Sequence, residues 1–472
     1  MCAPRLAQPA GYQPRRPGKT VLHKVVREHM ETFFAGMDEA GITLPRTIRK
    51  EFEAFLACGD LSAGFLRGEC RACRKALLIP FSCKRRTACP SCGAKRMAAT
   101  AAHLVDRVLP EDVPVRHWVI SLPFDIRYAL IKDRSLLSAV LRIFIDVVFT
   151  RYRDRSRCGP DGQCGAVAAI HRSDSSLRVN PHFHLVVLDG AYQIGNEEDA
   201  SPSFHGARHP TDEELRAIAT KVAKRVRRLF LRRGLIDEDG MPIEEVEPTV
   251  TDGQVQFGWL TADGDAIIAE PDRTGGGTSC AEVAGFSVYA GQALQDRDRI
   301  EKLCRYVSRP PFAHEQLAET KDGRIAIKLK RPRRSGETHA FMKPVQLLRR
   351  LTSLIPPAGM NLTRFFGILA PAAKHRCNVV PVPDILLHIS PNGTEPVLPP
   401  RRDGLDWASL LRRVYDIDVL DCPCGGRIRI IAAIESPAVI RRILKHFDLR
   451  ADPPPIAPAR GPPEGDGWFA SL

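Results

Sequence analysis

Apolar residues recur at helical spacing along Leu22, Val25, Val26, Met30, Phe33 and Phe34, which predicts an amphipathic helix over Thr20–Gly41. The same period in Arg46–Leu56 predicts a second helix within Leu44–Ala57. A third, Lys95–Leu109, is stopped by Pro110. Val115–Leu122 (VRHWVISL) reads as a strand ended by Pro123, and Leu136–Tyr152 as a strongly apolar helix. Gly165–His171 and Phe183–Leu188 read as two strands joined by the polar stretch Arg172–Asn180, the pattern of a hairpin. Thr211–Arg233 is a charged helix, and Asp296–Val307 a helix stopped by Pro310 and Pro311. Arg324–Lys330 and Thr338–Met342 form a second hairpin pattern, followed by a helix over Lys343–Leu354. Near the end come a helix (Leu405–Val419), a strand (Arg427–Ile434) and a helix (Pro437–Phe447).

Helices and hairpins follow one another without strict alternation, so the expected class is α+β. Composition divides the chain further. Residues 1–19, rich in Pro and Arg, read as a flexible arm, and 20–113 as an N-terminal helical and cysteine-rich domain. Residues 114–376 form a central domain with an antiparallel sheet flanked by helices, interrupted by the Gly-, Asp- and Thr-rich stretch Ile236–Gly285. Residues 377–403 are a Pro-rich linker, 404–452 a small C-terminal α/β module, and 453–472 a disordered tail.

The formal net charge of +14 over 472 residues, with runs at 225–233 and 328–334, points to a polyanionic partner, and nucleic acid fits best. No run of apolar residues is long enough to span a bilayer and no basic stretch carries an apolar stripe, which argues against a membrane partner. The N-terminus lacks the apolar core of a secretory signal, so a cytoplasmic location is expected.

Six of the 14 cysteines lie between Cys58 and Cys92. In a cytosolic chain, clustered cysteines read as metal ligands rather than disulfides. Cys70-x-x-Cys73 and Cys89-x-x-Cys92 are paired knuckles that can enclose a tetrahedral, structural Zn²⁺, with Cys83 able to replace one of the four. Lys84, Arg85 and Arg86 lie inside this module and can touch phosphate, or form a solvated loop. Cys422 and Cys424 make half a knuckle without a clear second pair, and no metal is expected there.

The most informative segment is Asn180-Pro181-His182-Phe183-His184. Strand side chains alternate, so His182 and His184 share one face while Phe183 enters the core. Two imidazoles on a rigid strand can grip a divalent metal. The motif alone is weak, since chance supplies it about 0.4 times in such a chain. His171 ends the preceding strand and, in a hairpin, would lie across from the pair. A zinc hydrolase built here would need a carboxylate, and Asp189 stands at the far end of the strand. A transesterase would need a hydroxyl. Tyr306, one of seven tyrosines, sits late on its helix between Arg305 and Arg309, which favour phosphate approach, although a core tyrosine fits the same pattern.

These phrases together resemble the transposases of the insertion sequence 91 family. The resemblance runs from Thr20-Val21-Leu22 through Phe81-Ser82-Cys83-Lys84, Cys89-Pro90-Ser91-Cys92, Asn180–His184, Cys304–Pro311 and Phe366–Pro371 to the segment beginning Cys422-Pro423-Cys424. It implies a zinc-ribbon N-terminal module, a central HUH-type endonuclease domain and rolling-circle transposition. It implies that Tyr306 is the nucleophile and that His182 and His184 hold Mg²⁺ or Mn²⁺, with His171, placed across the hairpin, as the candidate third ligand. It implies DNA as partner, as single-stranded or hairpin element ends and as target. The position of His171 is often glutamine in relatives, and the C-terminal knuckle is one residue short of the usual CPxCGG. A single tyrosine on the helix suits a one-tyrosine mechanism, with Tyr289 too far upstream to share its face. A zinc hydrolase and a catalytically inactive zinc-ribbon DNA-binding protein are the alternatives.

Overall fold

The protein is described from a computed structural model covering residues 6, 9, 16–195, 202–237, 279–333, 335–381 and 407–461. Most of the expected arm, residues 238–278 of the Gly-rich stretch, 382–403 of the expected linker and 462–472 of the expected tail lie outside the described residues. The class is α+β, with every named strand pairing antiparallel. The chain divides into two compact units, each discontinuous in sequence. One comprises Met1–Ala99, Phe312–Ile355 and Arg402–Leu472; the other comprises Thr100–Pro311 and Pro356–Arg401. This differs from a consecutive division at residues 113 and 376, because segments far apart in sequence share one core.

In the first unit, α1 (Val21–Glu39) is capped by Thr20, whose hydroxyl accepts from the His23 amide. α1 and α2 (Arg46–Leu56) meet through Phe33, Phe34 and Phe52, whose rings pack edge to face. β1 (Phe65–Cys70) and β2 (Ala76–Pro80) form a hairpin inside the cysteine-rich block, where cysteine spacing masks the strand pattern. α3 (Pro90–Arg107) begins at the second knuckle, five residues earlier than its apolar period suggests.

The second unit is built on a six-stranded sheet. Its strands are β3 (Val115–Ser121), β4 (Gly165–Ser173), β5 (Val179–Leu188), β8 (Ser279–Val283), β9 (Phe286–Leu294) and β13 (Thr363–Gly367), in the order β13-β4-β5-β3-β9-β8. A small ribbon of β6 (Gly190–Gln193) and β7 (Ser203–Gly206) stands apart. One face of the sheet presents Trp118, Ile120, Ile170, Phe183, Leu185 and Val187 to α5 (Arg134–Ser156) and α6 (Asp212–Arg232), with α4 (Phe124–Lys132) alongside. The other presents Val167, Ala169, Val186 and Leu188 to the end of α3 and to α7 (Arg297–Val307). Alternation along β5 therefore feeds two cores.

The first unit is completed by β10 (Leu317–Glu319), β11 (Ile325–Lys328) and β12 (His339–Met342), then α8 (Pro344–Leu354). α9 (Trp407–Tyr415), β14 (Ile428–Ile434) and α10 (Pro437–His446) follow. β14 pairs with β1, and Ile440 and Leu444 of α10 pack with Phe65 and Leu78, so the C-terminal residues are part of this core and not a separate module. The described part of the expected tail is tied down: the Ala457 amide donates to the Arg27 carbonyl and the Arg460 amide to the Thr32 hydroxyl, each at 3.0 Å.

Candidate active site and metal centres

The hairpin of β4 and β5 places His171 opposite His182, and its turn is fixed by Asp174, whose carboxylate accepts from the Ser176 and Arg178 amides. His184 lies opposite Ala169 on one side and Val119 on the other. The ligand nitrogens of His171, His182 and His184 lie within 4.8 Å of one another. The hydrogen bonds fix two tautomers. A carbonyl oxygen only accepts, so His182 Nδ1 donates to the Asn180 carbonyl at 2.8 Å and His171 Nε2 donates to the Val307 carbonyl at 2.8 Å. The lone pairs then remain on His182 Nε2 and His171 Nδ1. His184 is 3 % exposed, and its Nε2 is buried with no hydrogen-bond partner. A buried nitrogen without a hydrogen-bond partner, in a group of three imidazoles, fits the role of a metal ligand.

Burial holds these rings neutral. Desolvation pushes His182 down to about 4 and places His171 and His184 well below the ordinary imidazole value, with the neighbouring imidazoles adding to the effect in His171 and His184. Neutral imidazole is the form that binds metal.

α7 is capped by Asp296, whose carboxylate accepts from the Arg299 amide. It packs against the sheet through Ile300, Cys304 and Val307, which brings the next face of the helix, with Tyr306, over the histidines. The Tyr306 ring lies 5.6 Å from that of His184. The Arg309 guanidinium sits 4.3 Å above the Tyr306 ring. Arg305 points elsewhere and pairs with Glu301.

A fourth imidazole joins the group. His117 of β3 lies 5.8 Å from Tyr306, ring to ring, and its Nε2 is 2.9 Å from His184 Nδ1, the rings stacked within 5°. Desolvation, followed by the nearby Arg309 charge, pushes His117 down to about 3. A single histidine in an apolar strand gave no signal in the sequence; only the register that sets Val119 against His184 reveals it. Tyr289, set aside as too far along the chain, comes near by another route. It pairs with Val119 on β9, and its ring lies 5.9 Å from His117.

The cysteines sort into two sets of four. Cys58, Cys83, Cys89 and Cys92 form one, and Cys70, Cys73, Cys422 and Cys424 the other. In the first, Cys58–Cys92 and Cys83–Cys92 sulfurs are 3.6 Å apart and Cys58–Cys89 3.7 Å. A tetrahedron of thiolates around zinc has an edge of ~3.8 Å, and a disulfide would be about 2.05 Å. Both sets therefore have the spacing of a zinc site.

The "Putative transposase" family model matches residues 165–377, and the "Transposase zinc-binding domain" model of the insertion sequence 91 family matches residues 25–122. The chain belongs to the insertion sequence 91 family of transposases. No curated protein and no solved structure matches it. The transposase model spans His171, His182, His184 and Tyr306, and DNA is the partner that a transposase implies. Among the described residues, no helix of the transposase is long and apolar enough to cross a membrane.

The cysteine clusters and the zinc-binding domain together support structural zinc in the transposase. The expected set of Cys70, Cys73, Cys89 and Cys92 is not the one formed. The β1–β2 hairpin carries Cys70 and Cys73 away from the start of α3, and Cys58, at the end of α2, and Cys83 complete the set of Cys89 and Cys92. Cys83 thus enters as a full member. Cys422 and Cys424, expected to be metal-free, stand with Cys70 and Cys73. Of the basic residues nearby, Lys84 and Arg86 are exposed, while Arg85 pairs with Glu51 at 3.0 Å.

Asp189 of the transposase is locked elsewhere. Its carboxylate takes a two-pronged ion pair from Arg116, at 2.7 and 2.6 Å, and a hydrogen bond from Tyr152 at 2.9 Å. Five residues of strand separate it from His184, roughly 17 Å. It supports the core and is not part of the histidine group.

Proposed function

We propose that this transposase cuts and rejoins single-stranded DNA at insertion-sequence ends through a 5′-phosphotyrosine intermediate, driving rolling-circle transposition in the cytoplasm. The observation that carries this reading is the position of Tyr306 beside three metal-capable imidazoles on one face of a rigid sheet. His171, His182 and His184 would hold Mg²⁺ or Mn²⁺; an all-imidazole set suits Mn²⁺ better. When bound there, such an ion would supply Lewis-acid chemistry, polarising a scissile phosphate and offsetting the charge that builds on it. The Tyr306 hydroxyl attacks phosphorus in line, the bond to the 3′ oxygen breaks, and that oxygen leaves as the 3′-hydroxyl. The phosphodiester energy is kept in the tyrosine ester, so rejoining needs no nucleotide. Arg309, over the Tyr306 ring, faces the phosphate and stabilises phenolate character. His117 acts through His184 by holding its ring in place. Arg305 supports α7 through Glu301, and Lys84, Arg85 and Arg86 would contact DNA phosphate, with element ends and target DNA as ligands.

A zinc hydrolase is less well supported, because the metal-capable group holds three histidines and no carboxylate among the described residues. The test uses full-length protein, labelled single-stranded element ends and Mn²⁺, followed by denaturation. A slower protein–DNA band, absent in Tyr306→Phe and abolished by EDTA, is expected. Free cut ends without an adduct would indicate a hydrolase, and no reaction with any terminal sequence would indicate an inactive DNA-binding protein. Either result refutes the proposal.

A further inference from the structure

The zinc-binding family model ends at residue 122, yet one set of four cysteines takes half its members from beyond residue 420. Cys73 and Cys422 are 349 residues apart in the chain, and their sulfurs are 3.6 Å apart; Cys70 and Cys424 are also 3.6 Å apart. These distances match the ~3.8 Å edge of a zinc tetrathiolate. Two tight turns present the sulfurs. The Arg74 amide bonds to the Cys70 carbonyl at 2.9 Å, with Arg74 in the left-handed region (φ 59), and the Gly425 amide bonds to the Cys422 carbonyl at 2.9 Å (φ 82). Gly426 lets the turns meet: a Cβ there would stand 2.8 Å from that of Ala72 and 2.9 Å from the Cys70 sulfur. Beyond the knuckles the backbone continues as a ladder, Cys70 opposite Ile428 and Phe65 opposite Ile434.

We propose that Cys70, Cys73, Cys422 and Cys424 bind a second structural zinc, which clasps the C-terminal segment 422–446 to the β1–β2 hairpin. The four thiols enter as thiolates, and zinc loading releases their protons. The N-terminal zinc module is then complete only when the end of the chain has joined it. The two sites differ in access. Each set has one half-buried member, Cys83 in one and Cys73 in the other, and two buried ones; the fourth, Cys424, is exposed in the split site, whereas Cys58, Cys89 and Cys92 are all buried in the other. The split site therefore gives up its metal first.

The test is independent of Tyr306. Full-length protein should contain two zinc ions per chain, and the Cys422→Ser/Cys424→Ser double variant one. Where that variant fails to fold, the wild type suffices: brief chelation followed by alkylation and mass spectrometry should label Cys70, Cys73, Cys422 and Cys424 together, with Cys58, Cys83, Cys89 and Cys92 still protected. Trypsin should cut within 422–446 only after that release. One zinc per chain with Cys422 and Cys424 freely alkylated beforehand overturns the proposal, as does unchanged stoichiometry in the double variant.

Discussion

His117→Ala is the sharpest probe of the site, because His117 is bonded to a metal-capable imidazole and is not one of the three. Its Nε2 lies 2.9 Å from His184 Nδ1, in a buried setting with the two rings parallel within 5°. Removing it leaves His184 Nδ1 without that partner and frees the ring to turn about its side-chain bonds. Loss of a residue that orients a metal ligand lowers affinity by about 10- to 100-fold, or roughly 1.4–2.7 kcal/mol. Mn²⁺ affinity of the full-length protein can be read from the resonance of the free ion during titration. His117→Ala should weaken binding in that range, and His184→Ala should weaken it further. His117→Gln, which retains a hydrogen-bonding group, should recover part of the loss. At saturating Mn²⁺ the adduct-forming rate of His117→Ala should return towards wild type, since the residue acts through affinity. A dissociation constant within twofold of wild type would refute the reasoning. So would a loss as great as that of His184→Ala, which would make His117 a ligand in its own right.

Three further expectations follow from the same geometry. Arg309→Ala should slow adduct formation by about 3- to 30-fold, the worth of a partly desolvated cation over a ring at ~0.5–2 kcal/mol, and Arg309→Lys should recover little because it lacks the planar face; equal rates in single-turnover assays would count against a role for Arg309. Asp189→Ala should destabilise the second unit by about 3–5 kcal/mol by stranding the buried Arg116 guanidinium, while Arg116→Leu/Asp189→Ala should cost less than the sum of the single variants; additive losses in urea unfolding would sink this reading of the ion pair. Metal-free protein should lose stability as pH falls below about 6.5. His117, His171, His182 and His184 are held below that value by burial, so the unfolded chain binds more protons in this range; the stability is present above the unfolded value and lost towards the folded ones, and a flat urea midpoint between pH 7 and 5 would contradict it.

The sequence carried the local half of this structure well. α6 and α7 match their patterns closely, because each has a complete period and a stop: Thr211 and Asp296 cap their helices, and Pro310 follows α7; the β4–β5 hairpin matches in kind, but β4 runs on to Ser173 and β5 begins at Val179, four residues before its apolar run. β9 escaped because both its faces are buried, which erases alternation, and Ser287 and Gly291 dilute its apolar run. The cysteines show the same divide. Each knuckle was visible from spacing alone. The pairing of knuckles was not, because a tetrahedral site records only proximity in space, and the chain returns to β1 after some 350 residues. Local spacing suggested that neighbouring knuckles share an ion, whereas the hairpin between them turns Cys70 and Cys73 towards β14.

The candidate site shows why register is part of the chemistry. Along β5, Phe183 is fully buried in the core against α5 and α6, while His182 and His184 face α7. A slip of one residue would put two imidazoles into that apolar core and a phenyl ring beneath Tyr306. The pairings Ile120–Phe183 and Ile170–Phe183, on both sides of the strand, oppose the slip by burying apolar rows together. The same two pairings fix His184 between Val119 and Ala169, within reach of His117 on one flank and His171 on the other. Packing on the far face of the sheet thus positions the metal-capable side chains on the near face, and substitutions at Phe183 should disturb metal affinity although its side chain lies on the opposite face, among Ile120 and Ile170. Phe183→Leu, which keeps an apolar residue but leaves a cavity, should weaken Mn²⁺ binding along with stability. Reduced stability with unaltered Mn²⁺ affinity would mean that the α7 face holds the histidines by itself.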